Sequence, residues 1–334
     1  MADFIGTGGS ALGALGRVQH AMTGDVDEQA ALLRGWNQTY DQLSPGGFNG
    51  SFLETDLGPA QMFREITSSS LHQTGALPKG MCALGIPLNL KGNATFCGTA
   101  CDGTQLHIFS GGSGFEFYSP EGLDIVGVVV REDAFLNALR LRDFDTFNPA
   151  DDAHLRSTSR RCGAHLRETA LNVLQVLGET VELVDKQAML DSMSRDLLSA
   201  LADAVCCDDQ DVSLRIPQGK RWQIVRRAIS YAREDGDPQV SVDDLCTAAG
   251  VSRRALQYCF NDVLGVTPAV YLKVLRLNGA RRALKVSNTV TEAAVLWGFW
   301  HLGRFAADYN AMFGELPSVT FRKHHDEAGG KPRC

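Results

Sequence analysis

A chain of 334 residues supports about two domains, and 44% hydrophobic with 21% charged residues is ordinary folded-protein composition, which excludes a disordered or collagen-like chain. The 32 Lys and Arg against 39 Asp and Glu leave a net charge of −7, so the chain as a whole is a poor polyanion binder, and no apolar run approaches the roughly 18 residues of a membrane span. Nine cysteines without regular paired spacing point to a reducing cytosol, and hence to a cytoplasmic protein, rather than to a disulfide scaffold.

Residues 1–24 open with MADFIGTGGSALGALG, which lacks a basic start and a long apolar core. They read as a flexible N-terminus and not as a secretory signal. From 25 to 152 short apolar or alternating runs, among them FNGSFLETDL, AQMFREIT, ALGIPL, QLHIFS, FEFYS and DIVGVVV, are separated by Gly, Pro, Asn and Asp clusters. That pattern predicts an antiparallel β barrel or sandwich with Phe48, Phe52, Phe63, Phe96, Phe109 and Phe117 inside. Such an interior can be filled by its own side chains or can hold a ligand, and periodicity leaves both open. Residues 153–206 carry two helical patterns broken at Gly178, a hairpin that covers the sheet or serves dimerisation. Residues 207–219, acidic, polar and Pro-containing, read as a linker.

Residues 220–325 differ in charge and pattern. From Gly219 to His325 there are 15 Lys and Arg against 9 Asp and Glu, a net of +6, whereas residues 1–218 carry 15 against 28, a net of −13. A basic module joined to an acidic one separates two tasks. Within the basic part, SVDDLCTAAGVSRRALQYCF predicts a helix opened by a Ser241–Asp244 capping box, a turn at Gly250, and a second helix capped by Ser252. On that second helix Leu256 and Phe260 share one face, while Arg254, Gln257 and Tyr258 share another.

The pattern recurs 48 to 49 residues later. Thr289 with Glu292 forms the second capping box, Gly298 stands for Gly250, Phe305 for Leu256, Tyr309 for Phe260, Gly314 for Gly265 and Pro317 for Pro268. Trp297 and Trp300 are expected to pack this second unit. Between the copies PAVYLKVLRLNGARRALKV predicts one long helix, in which Gly279 costs about 1 kcal/mol relative to Ala and therefore asks for a packing reason. Residues 326–334 are a short tail.

Carried by these residues, the segment from Trp222 to Arg322 resembles the DNA-binding domain of AraC/XylS-type transcription regulators. The resemblance implies an α+β two-domain chain: an N-terminal, cupin-like antiparallel β barrel or sandwich with a helical hairpin, then an all-α domain with two helix-turn-helix units. It implies two recognition helices, about 252–263 and 300–312, entering successive major grooves of an operator. Arg254, Gln257 and Tyr258 fall on base-reading positions, with Arg253 near phosphate. In the second unit the corresponding region is His301, Leu302, Gly303 and Arg304, with Ala306 and Ala307 beyond; it offers few hydrogen-bonding groups, so that helix is expected mainly to position the domain. The implied partners are operator DNA, RNA polymerase, a small-molecule effector and a second copy of the chain. The effector would touch Phe48, Phe52, Phe63 and Phe96. The β half resembles the ethanolamine-regulator-like branch only loosely.

The alternative from another class is a cupin-type metal-dependent enzyme. Its ligands would come from His72, His107 and Glu116, or from Cys97 and Cys101, but the spacing fits no metal site. SGGSGFEF, Ser110 to Phe117, lacks a phosphate-loop Lys and a following helix, and no nucleophile elbow stands out. No catalytic residue, metal or cofactor is expected.

Overall fold

The computed structural model describes residues 18–33, 35–112, 114–144, 147, 154–179, 186–207, 219–234 and 239–326. The N-terminal part contains the strands β1 (Gln19–Thr23), β2 (Asn37–Gln42), β3 (Gly50–Asp56), β4 (Ala60–Thr67), β5 (Leu71–Ala76), β6 (Met81–Asn89), β7 (Ala94–Phe96), β8 (Thr99–Cys101), β9 (Gln105–Ser110), β10 (Phe115–Ser119), β11 (Leu123–Arg131) and β12 (His154–Ser157). Helix α1 (Val26–Leu32) lies between β1 and β2, and α2 (Glu132–Arg140) follows β11. The strands form a seven-stranded sheet, in the order β1-β3-β4-β11-β6-β9-β12, and a five-stranded sheet, β2-β5-β10-β7-β8, with antiparallel pairing.

Each face of the larger sheet is covered. Phe52, Phe63, Ala83, Phe109 and Val129 meet Phe96 and Phe117 of the smaller sheet in an aromatic core. Met62, Leu84, Ile108, Val126 and Val128 face the other way, onto the helices α3 (Arg160–Glu179) and α4 (Lys186–Cys206) through Leu166, Leu174, Leu197 and Leu201. Double coverage explains why β11 reads LDIVGVVVR, a nearly continuous apolar run, although its pairing is antiparallel. The hairpin therefore covers the sheet.

Two boundaries differ from expectation. Part of the segment expected to be a flexible N-terminus is strand β1, which pairs Gln19–Thr23 with Glu54–Gly50 of β3; residues 1–17 lie outside the described residues. The expected start of the helical hairpin is edge strand β12, where Leu155 points into the aromatic core and Arg156 Nε donates to the Val205 carbonyl, alternation that suits a strand. Of the expected linker, residues 208–218 lie outside the described residues.

The C-terminal part is all helical: α5 (Lys220–Glu234), α6 (Val242–Ala249), α7 (Arg253–Leu264), α8 (Pro268–Leu284), α9 (Val290–Leu296), α10 (Leu302–Phe313) and α11 (Pro317–Asp326). Leu256, Phe260 and Tyr271 anchor one core with α5 and α6, and Phe305, Tyr309 and Phe313 anchor a second with α9. Helix α8 contributes to both, and Gly279 lets the second core's Trp297 lie against it: a Cβ there would lie 2.4 Å from the Trp297 ring. The close approach of helix and indole is the packing reason the sequence asks for.

Candidate nucleic-acid interface and effector cavity

The first helix-turn-helix is built by local chemistry. Ser241 Oγ accepts from Asp244 N and the Asp244 carboxylate accepts from Ser241 N, closing the capping box of α6. Gly250 ends that helix in the left-handed region, and Ser252 Oγ accepts from Ala255 N to open α7. With Leu256, Cys259 and Phe260 buried, Arg253, Arg254, Gln257 and Tyr258 face solvent in the first two turns, and Asn261 and Asp262 beyond them. The Arg221 guanidinium lies 4.8 Å from the centre of the Tyr258 ring and pairs with Asp262 at 2.9 Å, which steadies a tyrosine that is 57% exposed.

The second unit repeats this geometry with two changes. Helices α7 and α10 each have twelve residues, each ends in a left-handed glycine, Gly265 or Gly314, and each is followed by a helix that begins with proline. Thr289 caps α9 through Glu292 N, but the Glu292 carboxylate accepts from Asn288 N and not from Thr289 N, so the expected box closes one residue early. His301 occupies the N-cap position of α10 without a side-chain cap bond. His301, Leu302, Gly303, Arg304 and Ala307 are exposed, and Ala306 is half-buried. Trp297 packs on Gly279 as expected, whereas Trp300 is 67% exposed. Gly279 leaves a site for a single indole, which Trp297 fills, so Trp300 stays outside.

The basic side chains of α8 are not a solvated face. Arg281 Nε meets Asp25 Oδ2 at 2.9 Å, and its guanidinium lies 4.7 Å from the centre of the Phe313 ring. Lys285 Nζ reaches Asp25 Oδ1 and Asp27 Oδ2, both at 2.8 Å. Arg282 meets Asp27 Oδ1 at 2.8 Å, Asp41 Oδ1 at 2.7 Å and the Tyr40 carbonyl at 2.6 Å. From α5, Arg233 pairs with the second Asp41 oxygen and donates to His72 Nδ1 at 2.5 Å, while His72 Nε2 donates to Glu116 at 2.7 Å. Burial alone would raise the Asp25 and Asp41 carboxyls, but the facing cations outweigh it and hold both below the ordinary range. Beside this ion network Trp222 meets Tyr118 edge-on at 5.6 Å and fills the space over Gly98, where a Cβ would lie 2.1 Å from the indole nitrogen. The two parts of the chain are thus locked by charge and by an aromatic contact. Nothing in the sequence pairs Asp25 with Arg281, 256 residues apart.

Between the sheets lies a narrow cavity of about 50 Å³. Trp36, Phe63, Phe96, Phe109, Phe115 and Phe117 supply its aromatic walls, and Tyr40, Glu65, Gln73 and His107 its polar ones. Of the four phenylalanines expected to meet an effector, Phe63 and Phe96 line this cavity. Phe52 stacks on Phe63 at 5.6 Å, and Phe48 sits in a separate cluster with Val26 and Tyr40. Burial raises the Glu65 carboxyl to about 7, against the hydrogen bonds it accepts from Gln29 at 3.0 Å and Tyr40 at 3.2 Å. Burial lowers His107 to about 3, so its ring is neutral, and it stacks on Phe96 at 4.6 Å. His72 and Glu116 belong to the interdomain network instead, and among the described residues no three His, Cys, Asp or Glu side chains gather as a metal site would require.

A pair of helix-turn-helix units joined by one shared helix defines a double helix-turn-helix DNA-binding domain. A family profile described as "Helix-turn-helix domain" matches residues 245–323. The probable thc operon regulatory protein of Rhodococcus erythropolis is 42% identical over 103 residues, 30% of this chain and 31% of that protein. The XylDLEGF operon transcriptional activator 2 of Pseudomonas putida is 36% identical over 102 residues, 29% of this chain and 65% of that one. The match therefore spans about a third of the first relative and under two thirds of the second. The crystal structure of the AraC-like transcriptional activator CuxR aligns over 84% of this chain and 99% of its own, with 14% identity and a TM-score of 0.41. The C-terminal part of this chain is an AraC/XylS-type helix-turn-helix DNA-binding domain. Among the described residues no helix is long and apolar enough to cross a membrane.

Proposed function

We propose that the protein is a cytoplasmic, sequence-specific transcription regulator, an effector-responsive activator that lays α7 and α10 into successive major grooves of its operator. Arg254, Gln257 and Tyr258 read base edges and Arg253 meets phosphate, while His301, Leu302, Gly303 and Arg304 position the second unit. The observation that carries this reading is the shared build of α7 and α10: each buries one aromatic-anchored face and leaves its N-terminal residues exposed. Activation and RNA polymerase as a partner rest on the activator named among the relatives. The α3–α4 hairpin is the proposed dimerisation element. The effector would enter the β-domain cavity and act through the ion network that joins the two parts of the chain.

The test is selection of a preferred duplex from a random-sequence pool by the full chain. Affinity for that duplex should fall steeply with ionic strength, and a response to a confirmed cavity ligand should disappear in the segment from about residue 218 to 325. Selection that yields no preferred sequence refutes specific regulation.

A further inference from the structure

The polar atoms around the cavity carry information about what belongs inside it. Trp36 Nε1, Gln73 Nε2 and His107 Nε2 are buried and have no hydrogen-bond partner among the described residues. Gln73 and His107 are more than nine-tenths buried, and all three residues line the cavity. Trp36 Nε1 and Gln73 Nε2 can only donate, and a neutral His107 donates from Nε2 in one tautomer. Unmade hydrogen bonds of this kind are costly in an apolar interior, so these three atoms call for an acceptor.

Charge narrows the acceptor's nature. No Lys or Arg lines the cavity among the described residues, and the one acidic lining group is Glu65. An anion would be desolvated there without a counterion and beside a carboxyl group. A cation fares no better, because each Glu65 oxygen already accepts a bond, one from Gln29 and one from Tyr40. The six aromatic walls favour a flat, apolar body, and with about 50 Å³ of free space the rings must part to admit one.

Resting on the reading of this cavity as the effector site, we propose that its ligand is a neutral, largely apolar small molecule, aromatic or similarly flat, carrying a carbonyl or ether oxygen that accepts from Gln73 and from one further donor, Trp36 or His107. A carboxylate is excluded from the class. The oxygen meets these donors and the apolar body lies against the Phe63, Phe96 and Phe109 rings.

Three probes of nearly one shape separate the contributions: acetophenone carries a neutral acceptor, ethylbenzene none, and benzoate a charge. Binding to the full chain is measured by calorimetry and by the shift in melting temperature. Acetophenone should bind roughly tenfold more tightly than ethylbenzene, and benzoate should not bind measurably. Gln73→Leu, kept only if its melting temperature stays near that of the parent, should weaken acetophenone about fivefold and leave ethylbenzene unchanged. Phe109→Leu should weaken both and controls for general loosening of the cavity. Benzoate binding as well as acetophenone overturns the ligand class while leaving the cavity as an effector site. Equal binding of ethylbenzene and acetophenone, or a Gln73→Leu variant that weakens both alike, overturns the acceptor. Binding of none of the three, with operator affinity intact, overturns the inference and takes the effector reading of this cavity with it.

Discussion

The side-chain amide of Asn278 pairs with the backbone of Gln42 as a neighbouring strand would: Oδ1 accepts from Gln42 N at 3.0 Å and Nδ2 donates to Gln42 O at 2.9 Å. Gln42 ends β2, an edge strand of the five-stranded sheet, and Asn278 comes from the middle of α8, so a helix of the DNA-binding domain closes a sheet edge of the other domain. Both groups are buried. Asn278→Ala leaves the Gln42 N–H and C=O unpaired and should cost about 2 to 3 kcal/mol. Urea unfolding should then show the two domains separating into distinct transitions; a single transition at the parent midpoint refutes the role of this pair.

Arg282 and Asp41 form the ion pair whose carboxylate is most deeply buried in the interdomain network, with the Asp41 side chain 3% exposed. Removing either partner strands charge on the other, so each single Ala variant should destabilise by a few kcal/mol, and the double variant by less than the sum. A coupling energy near zero in that cycle would mean the pair adds nothing beyond the Arg233 contact to Asp41.

Arg254 is exposed at the first turn of α7, and among the described residues no ion pair holds it. Arg254→Ala should cost about 1 to 3 kcal/mol of operator affinity and relax specificity at one base pair, measured with a set of single-base operator variants. A uniform loss across all variants would mark it as a phosphate contact instead.

Gly279→Ala would place a methyl 2.4 Å from three atoms of the Trp297 ring, so the indole must move and helix propensity cannot make up the loss. A destabilisation of about 1 to 3 kcal/mol is expected, seen as a lower melting temperature. Trp297→Leu in the same chain should recover part of it. Equal losses with and without the tryptophan would trace the effect to the backbone.

Glu65 sets a pH dependence. Its folded-state value of about 7 lies above the usual 4.5, so the native state holds a proton that the unfolded chain has lost between those values. Stability from this group is present below about 4.5 and declines as pH rises to about 7, by something like 3 kcal/mol, and stays flat above. Asp25 and Asp41 slope the other way, but only at acid pH, because their carboxyls are held low. Glu65→Gln should remove the decline between about 4.5 and 7, read from unfolding free energies across that window; an unchanged slope would mean another group titrates there.

Local signals carried most of the DNA-binding domain. Ser241, Gly250, Ser252 and the Gly265–Pro268 stop each act within a few residues of themselves, so spacing alone placed α6, α7 and the start of α8. Strands with strong alternation or continuous apolar character, such as β4, β9 and β11, were legible for the same reason. Strands β2 and β5, reading NQTYDQ and LHQTGA, were not, because their buried residues include Asp41, Gln42, His72 and Gln73, whose partners come from distant segments. The cavity shares that limit: an aromatic interior is visible in the composition, but the unpartnered donors of Trp36, Gln73 and His107 exist only once two sheets meet.

Helix α1 has seven residues, about two turns, well short of the length at which a helix persists in water by itself. It stands because it is tied at two points one turn apart. Asp25 caps it while gripping Arg281 and Lys285, and Gln29 is held between Thr23 and Glu65. Those ties belong to different regions, the first to the DNA-binding domain and the second to the cavity wall, and they lie roughly 6 Å apart along the axis. The helix is therefore a conditional element: its own opening free energy measures how well both regions hold it. Amide exchange in Val26–Leu32 should report on the domain contact and on the cavity wall at once, and slackening either tie should be felt at the other through the unwinding of two turns.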